Sequence, residues 1–502
     1  MDAIDGLLQG FAALSDPSTL VALAVGVIFG TLVGVLPGLG PLGAMAILLP
    51  LSFQLEPTAA IILVAGVYYG AQYGGSTTSI LMNIPGESTS VVTTIDGYQM
   101  TKKGRAGAAL TVSAVGSFIA GTVAIVLLMV FAPALAQIAV SFGAAEYFAL
   151  TAFGLMVLSR LTGGTVAASL MLVGIGLALR TVGQELMFGT ARFTFGQLDL
   201  WQGIELTPVV IGLFGITEVL VAVEERAGVA QIASVRLREL LPTAEEWRRS
   251  LLPMLRGTAI GFPFGLVPGP AAILSTFASY AVEKRVSKRP QEFGQGAIEG
   301  VAGPESANNA AAGGTLVPLL SLGVPFAPPM ALLLGAFTLH GIQPGPLLMR
   351  DHPDVFWGLV ASMYAGNVML LVLNLPLVGL FTSMLKMPRD FLMTLIVLVS
   401  VVGVYSVNNS VVDLIIMVVA GVVGYGMRKV RLSPATLVLP LVIGTLMEQS
   451  LVRTLMICTG DLSYFLTRPI AMTLLLLGFA SLIVPALWQQ LRPRPGASPA
   501  LE

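Results

Sequence analysis

The chain has 502 residues, 55% hydrophobic and 11% charged, against about a quarter charged in soluble globular domains, which excludes a cytosolic enzyme. Its 26 Lys and Arg against 27 Asp and Glu leave a net charge of −1, so no basic excess neutralises phosphates and nucleic acid is excluded as a partner. A single cysteine, Cys458, rules out an intramolecular disulfide and a thiolate-ligated metal cluster. The 56 glycines and 31 prolines fall inside apolar runs rather than low-complexity tracts, which is where broken membrane helices need them.

Met1 to Ser18 carry Asp2, Asp5 and Asp16 but no Lys or Arg, so the charged n-region of a cleavable signal peptide is missing and the first apolar segment is expected to be retained. Apolar stretches of about 17 to 25 residues, the length that crosses a bilayer, then recur at 20–36, 58–72, 107–131, 134–158, 163–179, 207–222, 356–384, 391–405, 411–427, 434–452 and 469–487. They lack the alternation of barrel strands, so the expected fold is an all-α polytopic membrane protein with about 11 to 13 hydrophobic segments.

Lys and Arg cluster at 102–105, 226–256, 284–289, 386–389, 428–431 and 492–494. Basic loops stay cytoplasmic. The intervening stretches near 184–205, 350–354, 406–410 and 459–463 are therefore expected outside. The expected division is a first repeat with accessory helices over 19–222, a cytoplasmic amphipathic linker over 223–256, a second repeat with accessory helices over 257–487, and a cytoplasmic tail over 488–502.

Two halves of the sequence resemble each other. Gly30-Thr31 to Pro37-Gly38 has a partner in Gly257-Thr258 to Pro268-Gly269, and Gly74-Gly75-Ser76 through Pro85 is echoed by Gly313-Gly314-Thr315 through Pro325. Each half reads as a Pro-Gly break, a Gly-Gly turn and an apolar stretch ending at proline. The loop after the first copy is basic at Lys102, whereas Arg350 to Asp354 after the second is expected outside, so the copies are expected to insert in opposite senses, the arrangement of many secondary transporters.

Broken backbone at membrane depth persists only where it is buried in protein or lines a polar cavity. Half-helix N-termini there suit a carboxylate, while hydroxyls, amides and freed carbonyls suit a small cation such as Na⁺. The candidate substrate and ion site comprises Pro37, Gly38, Gly74, Gly75, Ser76, Thr77, Asn83 and Gly86 in the first copy, and Pro268, Gly269, Glu305, Asn308, Asn309, Gly313, Gly314, Thr315 and Ser321 in the second. Glu87 is a weaker candidate. Glu146, Glu218, Asp413 and Glu448 are expected to serve helix packing or the interface. His340 and His352 are too few and too isolated for a metal site, and neither a catalytic residue nor a cofactor is expected.

These residues resemble the large membrane subunit of the tripartite tricarboxylate transporter family. The motifs are Gly34-Val-Leu-Pro-Gly-Leu-Gly40; Tyr73-Gly-Gly-Ser-Thr-Thr-Ser-Ile-Leu-Met-Asn-Ile-Pro-Gly-Glu87 with Asp96-Gly97-Tyr98 and Lys103-Gly-Arg-Ala-Gly107; and Gly303-Pro-Glu-Ser-Ala-Asn-Asn309 leading to Leu322-Gly-Val-Pro325. The resemblance implies a multi-pass protein of the bacterial inner membrane that imports carboxylates on a Na⁺ or H⁺ gradient. It also implies a small four-helix membrane subunit and a periplasmic solute-binding protein as partners. Gly74 to Glu87 and Pro304 to Pro325 would then form the site. Phe326 departs from the family, which has glycine after that proline, and its ring is expected to narrow the cavity and disfavour citrate.

No Walker-type phosphate loop is present, so ATP is not the direct energy source. The alternatives are a passive anion channel, separated by uptake against a gradient, and an intramembrane enzyme or scaffold, separated by hydrolysis or group transfer by the purified chain. The sequence leaves the choice of carboxylate and the formation of a homodimer open.

Overall fold

A computed structural model describes residues 3–36, 40–161, 165–185, 189–224, 240–377, 379 and 389–491. Pro37, Gly38, residues 225–239 of the expected linker and residues 492–502 of the expected tail lie outside the described residues.

The first half opens with α1 (Ala3–Leu14) and α2 (Pro17–Val35). Pro17 starts α2, and the Asp16 carboxylate accepts the Thr19 N–H at 3.1 Å, satisfying one of the helix's free donors. Then follow α3 (Gly40–Ser52), α4 (Pro57–Met82), α5 (Val91–Lys102), α6 (Ala106–Ala139), α7 (Ala144–Leu161) and α8 (Val166–Arg180). A short hairpin of β1 (Gly183–Gln184) and β2 (Ala191–Arg192) leads to α9 (Leu206–Val210) and α10 (Thr217–Glu224), joined through π-helical Ile211–Ile216.

The second half contains α11 (Ala244–Gly265), α12 (Ala271–Val286), α13 (Glu299–Gly314), α14 (Leu316–Leu322), α15 (Pro328–Leu339), α16 (Leu348–Asp351) and α17 (Pro353–Asn374). The chain closes with α18 (Arg389–Asn408), α19 (Val411–Lys429), α20 (Ala435–Ile457), α21 (Tyr464–Thr467) and α22 (Pro469–Leu491). Among the described residues, six helices are long and apolar enough to cross a membrane. The protein is an all-α polytopic membrane protein.

Helix α2 packs most extensively on α4, and α11 on α13. Both pairs are made the same way. On α2, a Cβ at Gly26, Gly30 or Gly34 would fall closer than 3.0 Å to the carbonyl oxygens of Leu63, Val67 and Ala71. On α11, Gly257, Gly261 and Gly265 meet the carbonyls of Gly303, Ala307 and Ala311 just as closely. The same four-residue glycine spacing and the same partner spacing recur, so the internal repeat is a repeat of packing. Without a hydrophobic force between helices in lipid, such backbone approach is what holds a pair together.

The structure corrects the expected Gly-Gly turns. Gly74 and Gly75 lie inside the continuous α4, and Gly313 and Gly314 end α13 with α14 resuming after Thr315. Their lack of a side chain serves packing: a Cβ on Gly74 would strike the Thr31 carbonyl, and one on Gly314 would sit 2.6 Å from that of Phe262. The actual breaks come at the ends of these helices, at Asn83 (φ 58) and Gly323 (φ 72), both left-handed and both with a proline two positions further on. The expected boundary at 131–134 is also displaced. Pro133 is accommodated inside α6, and the turn falls at 140–143, where Glu146 accepts the Gly143 N–H at 2.8 Å. Helices α3, α12 and α15, absent from the apolar-stretch reading, supply the short arms that return from the breaks.

Basic loops from both halves gather on one face. Lys103 Nζ donates to the Gln295 carbonyl at 2.6 Å, Arg105 pairs with Glu246, Arg249 bridges Glu292 and Glu299, and Arg289 reaches Glu245 at 3.2 Å. The buried Asp96 of α5 pins this face. Its Oδ1 accepts the N–H groups of Gly294, Gly296 and Ala297 at 2.7–2.9 Å, and its Oδ2 accepts the Tyr280 hydroxyl at 2.9 Å.

This packing can be tested by substitution. Gly30→Ala and Gly261→Ala should each destabilise the detergent-solubilised protein by about 1–3 kcal/mol or more, seen as a lower Tm, whereas Gly154→Ala, with open space around it, should be neutral or stabilising by up to about 1 kcal/mol. Asp96→Ala leaves three backbone donors without their acceptor, a loss of about 2–4 kcal/mol. It should speed tryptic cleavage after the exposed Lys288, and cleavage at the wild-type rate would contradict the pin.

Candidate functional site

In the second half the chain turns back through Pro268 and Gly269, which are buried at the tip between α11 and α12. Gly269 adopts φ 130 and donates its N–H to the Phe326 carbonyl at 2.9 Å. The Phe326 ring packs into an apolar cluster with Ala139, Leu150, Leu322 and Val324, so it stabilises the break rather than lining the cavity between the halves. At the first break Gly86 lies on the backbones of Gly34 and Gly75, where a Cβ would stand 2.5 Å from the Gly75 Cα. That contact places Glu87 beside Gly75 and the start of α3.

The two halves meet through buried polar groups. Ser76 Oγ of α4 donates to Glu305 Oε2 of α13 at 2.6 Å, and Thr93 Oγ1 of α5 donates to Oε1 of the same carboxylate. Glu305 is 1% exposed. Among the described residues it has no cationic partner, and neither has Glu87. Glu87 instead accepts the Thr89 hydroxyl at 2.5 Å, and Asn308 of α13 reaches toward its carboxyl. Asn309 Nδ2 donates to Ser117 Oγ of α6 at 2.7 Å and to the Glu305 carbonyl at 3.1 Å.

Next to this cluster lies a cavity of about 30 Å³ with contributions from both halves, among them Tyr69, Gln72 and Tyr73 of α4 facing Asn309, Ala312 and Gly313 of α13. These residues are equivalent under the repeat. Tyr73 donates to Asn367 Oδ1 of α17 at 2.6 Å, and the Asn367 amide donates to the Phe118 carbonyl and to Thr122 of α6 at 2.8 and 3.0 Å. The closure is incomplete chemically: Tyr69 Oη, Gln72 Oε1, Ser306 Oγ and both polar atoms of the Asn308 amide are buried without a hydrogen-bond partner. Native proteins leave few such atoms, and five of the ten found among the described residues lie on α4 and α13.

The structure therefore brings Gly75, Ser76, Gly86, Glu305, Asn308, Asn309 and Gly313 together, with Gly74 and Gly314 as the helix contacts behind them. Other expected site residues fall elsewhere. Asn83 is the exposed, left-handed cap of α4. Thr77 is buried on α4 but not joined to the Glu305 hydrogen bonds, and Ser321 turns back onto the Val317 carbonyl of its own helix. Thr315 does the same to Ala312, on the side where Tyr68 packs. Thr93, Ser117, Tyr69, Gln72, Tyr73 and Asn367 were not expected. Tyr69 could have been found by carrying Asn309 across the repeat at the spacing of the two breaks.

The four acids expected to serve helix packing or the interface lie away from this cluster. Glu146 pairs with Arg468 at 2.7 Å, Glu218 with Arg428 and Glu448 with Arg192 at 2.7 Å, while Asp413 accepts the Asn408 amide at 2.9 Å.

Comparison with known proteins gives this arrangement a family. The pattern of the tripartite tricarboxylate transporter TctA family matches residues 20–439. The chain is 48% identical over 487 residues, 97% of both chains, to an Agrobacterium vitis protein described as an uncharacterized 52.8 kDa protein in the TAR-I ttuC' 3'region. It is 49% identical over 227 residues, 45% of this chain and 94% of the relative, to an uncharacterized protein in the TAR-II ttuC' 3'region of the same organism. No solved structure matches the chain. The chain belongs to the tripartite tricarboxylate transporter TctA family, a family of membrane transporter components rather than enzymes.

Proposed function

We propose that this protein imports organic carboxylates together with a coupling cation, by alternating access of two oppositely inserted repeats. The observation that carries the reading is the Ser76–Glu305–Thr93 group joining the halves beside the unpartnered Asn308 amide. A carboxylate buried among neutral hydroxyls stays charged only at a penalty of several kcal/mol, so Glu305 needs a proton or a small cation such as Na⁺. Binding that cation is the coupling step. The substrate carboxylate is taken by the Asn308 and Asn309 amides and by backbone N–H groups at the two breaks, donors that carry no charge of their own.

The contacts of the loops support opposite insertion. The ion pairs at 103–105, 245–256 and 289–299 share one face, which basic-loop bias assigns to the cytoplasm of a bacterial inner membrane. The loop after α5 belongs to that face, and the stretch 340–354 after α15 lacks a basic excess. A cavity of only about 30 Å³ between the halves favours a closed carrier over an open channel. Family membership supports, as partners, a small four-helix membrane subunit and a periplasmic binding protein that delivers the substrate.

In proteoliposomes given a panel of di- and tricarboxylates, Ser76→Ala and Asn309→Ala should abolish gradient-driven uptake while inserting normally. Glu305→Gln should retain substrate exchange at zero gradient but lose dependence on the driving cation. Wild-type uptake by both alanine variants would overturn the site, and full cation dependence in Glu305→Gln would overturn the coupling role.

A further inference from the structure

A second cavity, of about 450 Å³, lies away from the repeat interface between the end of α8, the β1–β2 hairpin and α20. Its wall is a built one. Gly183 (φ 112) packs on Gly203 (φ 90) so closely that a Cβ on the former would stand 2.7 Å from the Cα of the latter, and Gln184 N donates to the Trp201 carbonyl at 2.9 Å. Two arginines project into it. Arg192 pairs with Glu448 at 2.7 Å, leaving its buried Nε without a partner. Among the described residues Arg180 hydrogen-bonds through Nε, to the Thr445 hydroxyl, and the carboxylates of Glu205 and Glu448 lie near enough to interact with its charge. Its Nη1 lies against Gly203, where a Cβ would come within 3.2 Å.

We propose that this cavity is a peripheral binding site for a hydroxycarboxylate, a station for substrate before it reaches the repeat interface; the station role rests on the transport reading above. A planar guanidinium in the wall of a cavity is suited to bidentate capture of a carboxylate. Gln202, Gln449, Glu448 and the buried Glu185 line the same cavity and supply the donors and acceptors that a neighbouring hydroxyl needs. The volume falls within the range of small-molecule sites, about 300–1,000 Å³. Position fits a station: α20 begins just after the basic stretch 428–431 and runs away from it, so Glu448 and Gln449 lie toward the opposite face. That is the face on which substrate arrives.

Trp201 lines the cavity and supplies the test. L-malate titrated into the purified full chain should change its tryptophan fluorescence, the change should vanish in Trp201→Phe, and succinate, which lacks the hydroxyl, should bind more weakly. Arg180→Gln should raise the malate Kd about tenfold or more and raise the uptake KM with kcat unchanged. Gln449→Glu, which adds a like charge without touching the Arg180–Thr445 contact, should act in the same direction. Malate titration of Trp201 without any gradient-driven uptake would sustain this site and defeat the transport reading. Uptake with neither variant shifting Kd or KM would defeat the site and leave that reading standing, and equal binding of succinate would overturn the hydroxyl preference.

Discussion

Six glycines, three on α2 and three on α11, let two pairs of helices approach until backbone touches backbone, and the rest of the molecule is arranged around that approach. In lipid the attraction between helices is packing itself, so leaving out each Cβ lets the two backbones attract at close range. The close pairing carries α4 and α13 to the centre of their halves and sets the height at which each breaks. It also lets Gly86 settle onto Gly34 and Gly75, which is how Glu87 comes to face the helix of the other half.

The chemistry follows from what such pairing leaves at the centre. Small residues free the space, and hydroxyls and amides fill it: Ser76, Thr93 and Ser117 from one half, Glu305, Asn308 and Asn309 from the other. No cation answers the buried acid among the described residues, and the amide of Asn308 has no partner. A rigid structural core would have satisfied both. Under the proposed import reading, an interface that separates and re-forms around its ligands would be served by groups that those ligands themselves complete.

Much of this was legible in the sequence. Long apolar stretches announced the membrane, and Gly257 to Gly269 read beside Gly30 to Gly38 announced the repeat. Glu305, Asn308 and Asn309 stood out as polar residues in an apolar setting. The Gly-Gly pairs were located but misassigned, because one residue type serves both turns and helix contact, and only the partner helix decides which. Helices α3, α12 and α15 escaped because they are too short to span a bilayer, and α12 is polar at its end. Thr93, Ser117 and Asn367 escaped because their importance lies in groups hundreds of positions away.

The most direct test of the central claim is an experimental structure of the protein, with its membrane partner, determined in the presence of a transported carboxylate. The account predicts ligand density between α4 and α13, within hydrogen-bond distance of Asn308 and Asn309 and beside the Ser76–Glu305 pair. Density confined to other helices, with that interface closed as before and Asn308 still unpartnered, would contradict it.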